Sequence, residues 1–204
     1  ERRAFADRSE YLGAPDFMKI SADQLISRNY LLQRMSTFNE NKATPSSEIQ
    51  PGSPQGYVSE ETTHYSVVDS YGNAVAATTT LNGTFGSSIV VDSAGFLLNN
   101  QMDDFSVKPG FPNMYGLVGG EINSIQPAKK MLSSMTPVIL EKEGKLFLVA
   151  GSPGGSTIPT TVFQVVVNVI DYGMSIQDAV DAGRFHHQWL PDWISSEKGA
   201  INTL

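Results

Sequence analysis

Thr62 stands at the head of a strand pattern, Thr62-Thr63-His64-Tyr65-Ser66-Val67-Val68-Asp69, directly after a run rich in proline, serine and glycine. That placement permits one distinctive chemistry. If the Glu61–Thr62 bond is cut, Thr62 gains an α-amine beside its own hydroxyl, and one residue supplies both base and nucleophile. A plainer reading makes Thr62 and Thr63 ordinary β-branched strand residues. On these two residues alone the plainer reading is the stronger, because threonine is common in strands. The rest of the chain has to decide.

Four further clusters carry residue types that can do chemistry. Gly151-Ser152-Pro153-Gly154-Gly155-Ser156 lies between a strand pattern and a helix pattern. Glycines there free backbone N–H groups to bind a phosphate or an oxyanion, although a tight structural turn explains them equally well. The run lacks the spaced Gly-Lys-Ser/Thr of a P-loop. Ser133-Ser134 can hold a carboxylate through hydroxyls and backbone, while exposed serines before a strand are the commoner case. Asn99-Asn100-Gln101-Met102-Asp103-Asp104 concentrates amides and acids, fit for a substrate ammonium, for a turn or for a weak cation site. His186 and His187 are adjacent, so they point in different directions and read as packing and capping residues. His64 has no Gly-x-Ser-x-Gly elbow to serve.

The elements that must position these residues follow from patterning. Residues 1–20 read as a helix end and a loop. Ser21 begins a second helix with a capping-box spacing to Gln24, fading near Asn39. Residues 44–61 hold Pro45, Pro51, Pro54, Gly52, Gly56 and four serines, a linker too polar to bury, read as a surface loop or a processing segment. Two strands then flank the turn Ser70-Tyr71-Gly72-Asn73. Short strands follow at 88–91 and 95–98, and residues 103–130 form a long loop of the kind used as a lid. A hairpin across Glu143-Gly144 leads to the glycine run and a helix carrying Ile158, Val162, Val165, Val166, Val169 and Ile170. Ser175 is spaced to Asp178 to cap a last helix. Strands in antiparallel pairs between helices indicate helices packed on antiparallel sheets.

The 204 residues suffice for one domain or a large part of a bigger one. A net charge of −7 without a basic run argues against nucleic acid and anionic membrane as main partners. The absence of cysteine excludes disulfides, thiolate nucleophiles and cysteine metal sites. No apolar run approaches the ~20 residues of a membrane helix. Glu1-Arg2-Arg3-Ala4-Phe5 reads as mid-helix, so a longer chain is expected.

Taken in order, Thr62 to Asp69, Leu97-Leu98-Asn99-Asn100-Gln101-Met102-Asp103-Asp104-Phe105, Tyr115-Gly116-Leu117-Val118-Gly119-Gly120, Leu132-Ser133-Ser134-Met135, the glycine run and Arg184-Phe185-His186-His187-Gln188-Trp189-Leu190-Pro191 resemble the γ-glutamyltransferase (γ-glutamyl transpeptidase) family across essentially the whole chain. Residues 1–61 match the end of its large subunit and 62–204 most of its small subunit. The resemblance implies an α+β N-terminal-nucleophile hydrolase fold, an αββα sandwich, and self-cleavage before Thr62. It implies Thr62 as nucleophile, with Thr80 orienting its amine. Asn82, Gln101 and Asp104 would meet the substrate α-amino end, Ser133 and Ser134 the α-carboxylate. The N–H groups of Gly154 and Gly155 would form an oxyanion hole, and Tyr115 would sit in a lid loop. No cofactor or metal is implied. The implied partners are small γ-glutamyl donors such as glutathione or glutamine, amino acid or peptide acceptors, and the chain's own large-subunit region. A periplasmic or secreted location is the family expectation.

Two departures stand out. Thr157 follows the glycine run where the family usually has arginine, and Gly183 stands where proline is common. No residue matches the arginine that the family uses for the carboxylate. Alternatives within the fold are an acylase for another side chain or a poly-γ-glutamate transpeptidase. A homologue without catalysis is the third.

Overall fold

The computed structural model describes residues 1–49 and 62–201. The chain divides into two compact units. One comprises described residues 1–49, 102–133 and 187–193, and the other 62–101, 134–186 and 194–201.

In the second unit, Thr63–Val68 (β1) and Ala74–Thr79 (β2) pair antiparallel, with Thr63 opposite Thr79. Asp69 builds the turn between them. Its Oδ1 accepts the N–H groups of Tyr71 and Asn73 at 2.8 and 2.9 Å, and Gly72 takes a φ of 86°. The Asn73 side-chain amide, ahead of these N–H groups, holds the Asp69 carboxyl below the usual range. After Val90–Val91 (β3) and Phe96–Leu97 (β4), which pair with each other, comes a second long hairpin. Val138–Lys142 (β5) and Lys145–Ala150 (β6) close across Glu143 and Gly144, at φ 54° and 73°. Two successive positive φ values match the twist of a two-residue hairpin turn. Ser66 Oγ donates to the Val149 carbonyl at 3.4 Å, so the long hairpins meet. Tyr65, Val67 and Val75 are each more than half exposed.

Helix α4, Ile158–Ile170, buries Ile158, Val162 and Val165. Burial of that stripe outweighs the weak helix propensity of valine. Ile176–Asp181 (α5) begins at Ser175, whose Oγ accepts the Asp178 N–H at 3.1 Å. Phe185–His186 (β7) pairs with Ser195–Ser196 (β8). On its other side the Gln164 amide donates to the Phe185 carbonyl at 2.8 Å and accepts its N–H at 3.1 Å. A helix side chain there takes the place of a neighbouring strand.

In the first unit, α1 (Arg2–Tyr11) buries Phe5, Ala6 and Ser9. The expected capping box forms: Ser21 Oγ accepts the Gln24 N–H, and Gln24 Oε1 accepts the Ser21 N–H. The single helix expected from Ser21 to Asn39 is nevertheless two, Ala22–Leu25 (α2) and Arg28–Met35 (α3). Ser27 makes the break. Its hydroxyl donates to the Gln24 carbonyl and accepts the Tyr30 N–H, competing with helix continuation and capping the next one.

The linker expected over 44–61 is described only to Ile49; residues 50–61, and with them the Glu61 side of the bond, lie outside the described residues. The described part is a surface segment anchored at two points, with Pro45, Ser47 and Glu48 exposed. Ser46 and Ile49 are 2% and 5% exposed, and Trp189 Nε1 donates to the Ile49 carbonyl at 2.6 Å. Ile49 supplies the apolar anchor that a polar average conceals. The core of this unit is Phe5, Ala6, Ile49, Tyr115, Leu117, Val118 and Trp189. The 103–130 stretch is likewise structured. It holds a 3₁₀ turn at Glu121–Asn123 and bridges joining Ser106 to Ser124 and Pro112 to Val118. Asn113 Oδ1 accepts the N–H groups of both Tyr115 and Leu117 at 3.0 Å.

Candidate active site

The β1–β2 register that sets Thr63 opposite Thr79 also brings Thr62 opposite Thr80. Thr62 Oγ1 donates to Thr80 Oγ1 at 3.3 Å, and Thr80 Oγ1 accepts the Asn82 N–H at 3.0 Å. These residues open onto a cleft of about 340 Å³ lined by Thr62, Thr63, Thr79, Thr80, Leu81, Gly83 and Thr84. Asn82 is 3% exposed and sits at φ 74°, a left-handed conformation that asparagine tolerates better than most residues. The Asn82 turn is tied down by Asn100. Its Oδ1 accepts the Gly83 N–H at 2.9 Å, and its N–H donates to the Leu81 carbonyl at 3.1 Å. Asn99 Oδ1 accepts the Gln101 N–H at 2.9 Å.

The glycine run follows β6 in the same unit. A Cβ at Gly151 would overlap the ring of His64, which is held between Thr78 Oγ1 at 2.8 Å and Ser66 Oγ at 3.1 Å. Gly154 and Gly155 take φ values of 130° and 53°. The Thr157 hydroxyl donates to the Gly154 carbonyl at 2.8 Å, so this departure from the family arginine closes the turn. Ser134, half-buried, accepts the Thr136 hydroxyl on its carbonyl at 2.9 Å.

Asp104, Ser133 and Tyr115 belong to the first unit. Asp104 lines a cavity of about 230 Å³ together with Arg8, Lys108, Asn113, Asn123 and Leu132. Arg8 was not singled out in the sequence. Desolvation at this partly buried position pulls its guanidinium down to about 10 against the opposing pull of Asp104, so it stays charged near neutral pH. Its signal was weak: an arginine three residues after Phe5, on the buried side of a mid-helix start. Asp103, in the 3₁₀ turn Gln101–Asp104, accepts the Met114 N–H at 2.9 Å. Asn123 Nδ2 donates to the Asp104 carbonyl at 2.8 Å, and its Oδ1 accepts the Leu132 N–H, next to Ser133, at 3.0 Å. Tyr115, expected in a lid loop, lies in the core of this unit. It is 4% exposed, and its carbonyl accepts from Gln188 Nε2 at 3.0 Å.

The histidines have packing and bonding roles. His186 Nδ1 lies 2.8 Å from Thr160 Oγ1. His187 Nδ1 faces the Trp189 N–H at 3.0 Å, and its Nε2 faces Arg2 Nε at 2.9 Å and Asp192 Oδ1 at 3.3 Å. Burial first, then the Arg2 guanidinium, lowers the His187 pKa. Among the described residues no group of three or more histidines, aspartates or glutamates could hold a metal ion. No described helix is long and apolar enough to cross a membrane.

A threonine leading one antiparallel hairpin, packed on a second and accompanied by helices, is the α+β arrangement of an N-terminal-nucleophile hydrolase, and solved structures bear this out. The Gamma-glutamyltranspeptidase family model matches residues 1–203, and the chain belongs to that family. It is 59% identical over 199 residues to the glutathione hydrolase proenzyme of Escherichia coli (strain K12), covering 98% of this chain and 34% of that protein. It thus spans about a third of the length of the curated relatives it matches. A Helicobacter pylori gamma-glutamyltranspeptidase structure is similar at TM-score 0.67 and 61% identity over 69% of this chain and 75% of that one. The cephalosporin acylase of Bacillus halodurans is similar at TM-score 0.77 and 27% identity over 98% of this chain and 33% of that one.

Proposed function

We propose that the protein to which this chain belongs cuts itself before Thr62 and then transfers or hydrolyses γ-glutamyl groups. The observation that carries the reading is the Thr62–Thr80 pair, hydroxyls 3.3 Å apart at the edge of a threonine-lined cleft, in a chain of this family. After the cut, the Thr62 α-amine has a reference pKa of about 7.7–8.0, so it works as a base near neutral pH without extreme tuning. It takes the Thr62 hydroxyl proton as Oγ1 attacks the γ-carbonyl carbon. The amide C–N bond breaks, the proton leaves with the amine, and a γ-glutamyl ester remains. Water resolves it to glutamate; an amino acid or peptide amine resolves it to a new γ-glutamyl amide.

In this reading Thr80 orients the Thr62 amine. Asn82, Gln101 and Asp104 take the α-ammonium end, Ser133 and Ser134 take the α-carboxylate, and the N–H groups of Gly154 and Gly155 receive the oxyanion. Glutathione-like molecules and glutamine are the donors, and the 1–61 region stays bound after cleavage. The likeness to a cephalosporin acylase motivates a second reading, an acylase for a side chain without the amino acid head.

The test uses full-length protein. Incubation without added protease should release a fragment beginning Thr62-Thr63-His64, and Thr62→Ala should stay one chain. The cut protein should turn over a γ-glutamyl anilide well ahead of a glutaryl anilide. Splitting of Thr62→Ala at the wild-type rate overturns the self-cleavage. Equal use of the two anilides transfers support to the acylase.

A further inference from the structure

Asn123 is buried, 5% exposed, in a stretch with only short 3₁₀ turns and isolated bridges. All its backbone and side-chain hydrogen-bonding groups are engaged. Its N–H donates to the Gly120 carbonyl at 3.2 Å and its carbonyl accepts the Ser106 N–H at 2.9 Å. The side-chain amide then bridges two segments that no strand or helix joins. Nδ2 meets the backbone carbonyl of Asp104, and Oδ1 meets the backbone N–H of Leu132. An amide group is planar and short, with donor and acceptor on one carbon, so two well-formed bonds leave little freedom in the separation of their partners.

We propose that Asn123 is a positioning residue that sets the spacing between Asp104 and Ser133, and hence the distance between ammonium and carboxylate that the donor must present. This rests on the γ-glutamyl reading above. Asn123 touches neither charge of the donor; it acts through the backbone of the residues that do. The two halves of its amide are chemically separable. Asn123→Asp keeps an oxygen for the Leu132 N–H but sets an acceptor against the Asp104 carbonyl, so it loosens one side. Asn123→Ala loosens both.

The experiment measures kcat/KM of full-length wild type and both variants with three anilides. These are the γ-glutamyl donor, the glutaryl donor that lacks the amine and the 4-aminobutanoyl donor that lacks the carboxylate. In Asn123→Asp, the preference for γ-glutamyl over glutaryl should fall about tenfold, the size of one lost hydrogen bond, through KM rather than kcat. Its preference over 4-aminobutanoyl should stay. In Asn123→Ala both preferences should fall. Unchanged preferences in Asn123→Asp, or an equal loss on all three donors, overturns the positioning role and leaves Asn123 a packing residue. Should Asn123→Ala fail to fold, Asn123→Asp alone decides. A wild type with no preference for the γ-glutamyl donor would instead overturn the functional reading itself.

Discussion

Thr62 and Asp104 are positioned by different means. Thr62 and Thr80 face each other because a ladder of backbone hydrogen bonds runs along β1 and β2, and the register at Thr63 and Thr79 carries on by one residue. Asp104 and Ser133 lie in a stretch with two short 3₁₀ turns and isolated bridges, pinned by asparagine amides at 113 and 123. A ladder shares its load over many equivalent bonds, whereas a single amide does not. Chemistry placed by the ladder should therefore be sensitive mainly in its own reacting groups. Recognition placed by amides should be sensitive in residues that touch no substrate.

The largest effect expected from this contrast is on the ladder side. Thr80→Val removes the hydroxyl between Thr62 and the Asn82 N–H while keeping volume. In full-length protein kcat should fall by roughly a hundredfold, the low end for loss of assisted proton transfer, with KM little changed. A variant that alters KM and spares kcat would break the contrast.

Next comes Gly151→Ala, whose methyl would overlap the His64 ring. Overpacking of this kind costs about 1–3 kcal/mol, read by denaturant titration. The double variant Gly151→Ala, His64→Ala should recover most of the loss. Additive destabilisation would show that the two residues are not coupled.

Asn113→Ala tests the amide side. The N–H groups of Tyr115 and Leu117 lose their shared acceptor, which should destabilise by about 1–2 kcal/mol and speed amide exchange at both residues. Unaltered exchange there would mean that the loop is held by its apolar residues alone.

The smallest effect is electrostatic and also falls on the first unit. His187 has a lowered folded pKa, whereas the unfolded chain takes up its proton near pH 6.5. Below that value the unfolded state binds more protons, so stability is complete above about pH 6.5 and declines as pH falls through it. His187→Gln should flatten the fall between pH 7 and 5.5, by less than about 1 kcal/mol. Burial raises the Asp192 pKa, but Ser46, Arg2 and His187 outweigh that and hold it low, so its own loss comes at lower pH. A variant as pH-dependent as the wild type would locate the sensitivity elsewhere.

Legibility followed the same division. The hairpin turns at 70–73 and 143–144, the stripe of α4 except for Ile170, which is exposed, and the caps at Ser21 and Ser175 were readable, because each is a local rule of period or turn chemistry. The threonine pair came only through the family resemblance, although the hairpin register accounts for it. The break at Ser27 was not, since its hydroxyl competes with a helix that the apolar spacing also allows. The packing of Ser46 and Ile49 depends on Trp189, far along the chain, and no window contains both. Arg8, Asn113 and Asn123 were missed for a related reason. Each acts through long-range or loop-internal contacts, and such contacts have no period.

The core of the first unit has a consequence for the cut chain. Phe5, Ala6 and Ile49 precede residue 62, and Tyr115, Leu117, Val118 and Trp189 follow it. While the backbone is whole, the tether keeps these halves at a high effective concentration, and dilution cannot separate them. Under the proposed scission the same apolar contacts become an interface between two chains, and their survival becomes a matter of mass action. Neither product holds the whole cluster. A pair that falls apart in dilute solution must find its partner again before that core can re-form, so scission would turn a unimolecular refolding into a bimolecular one.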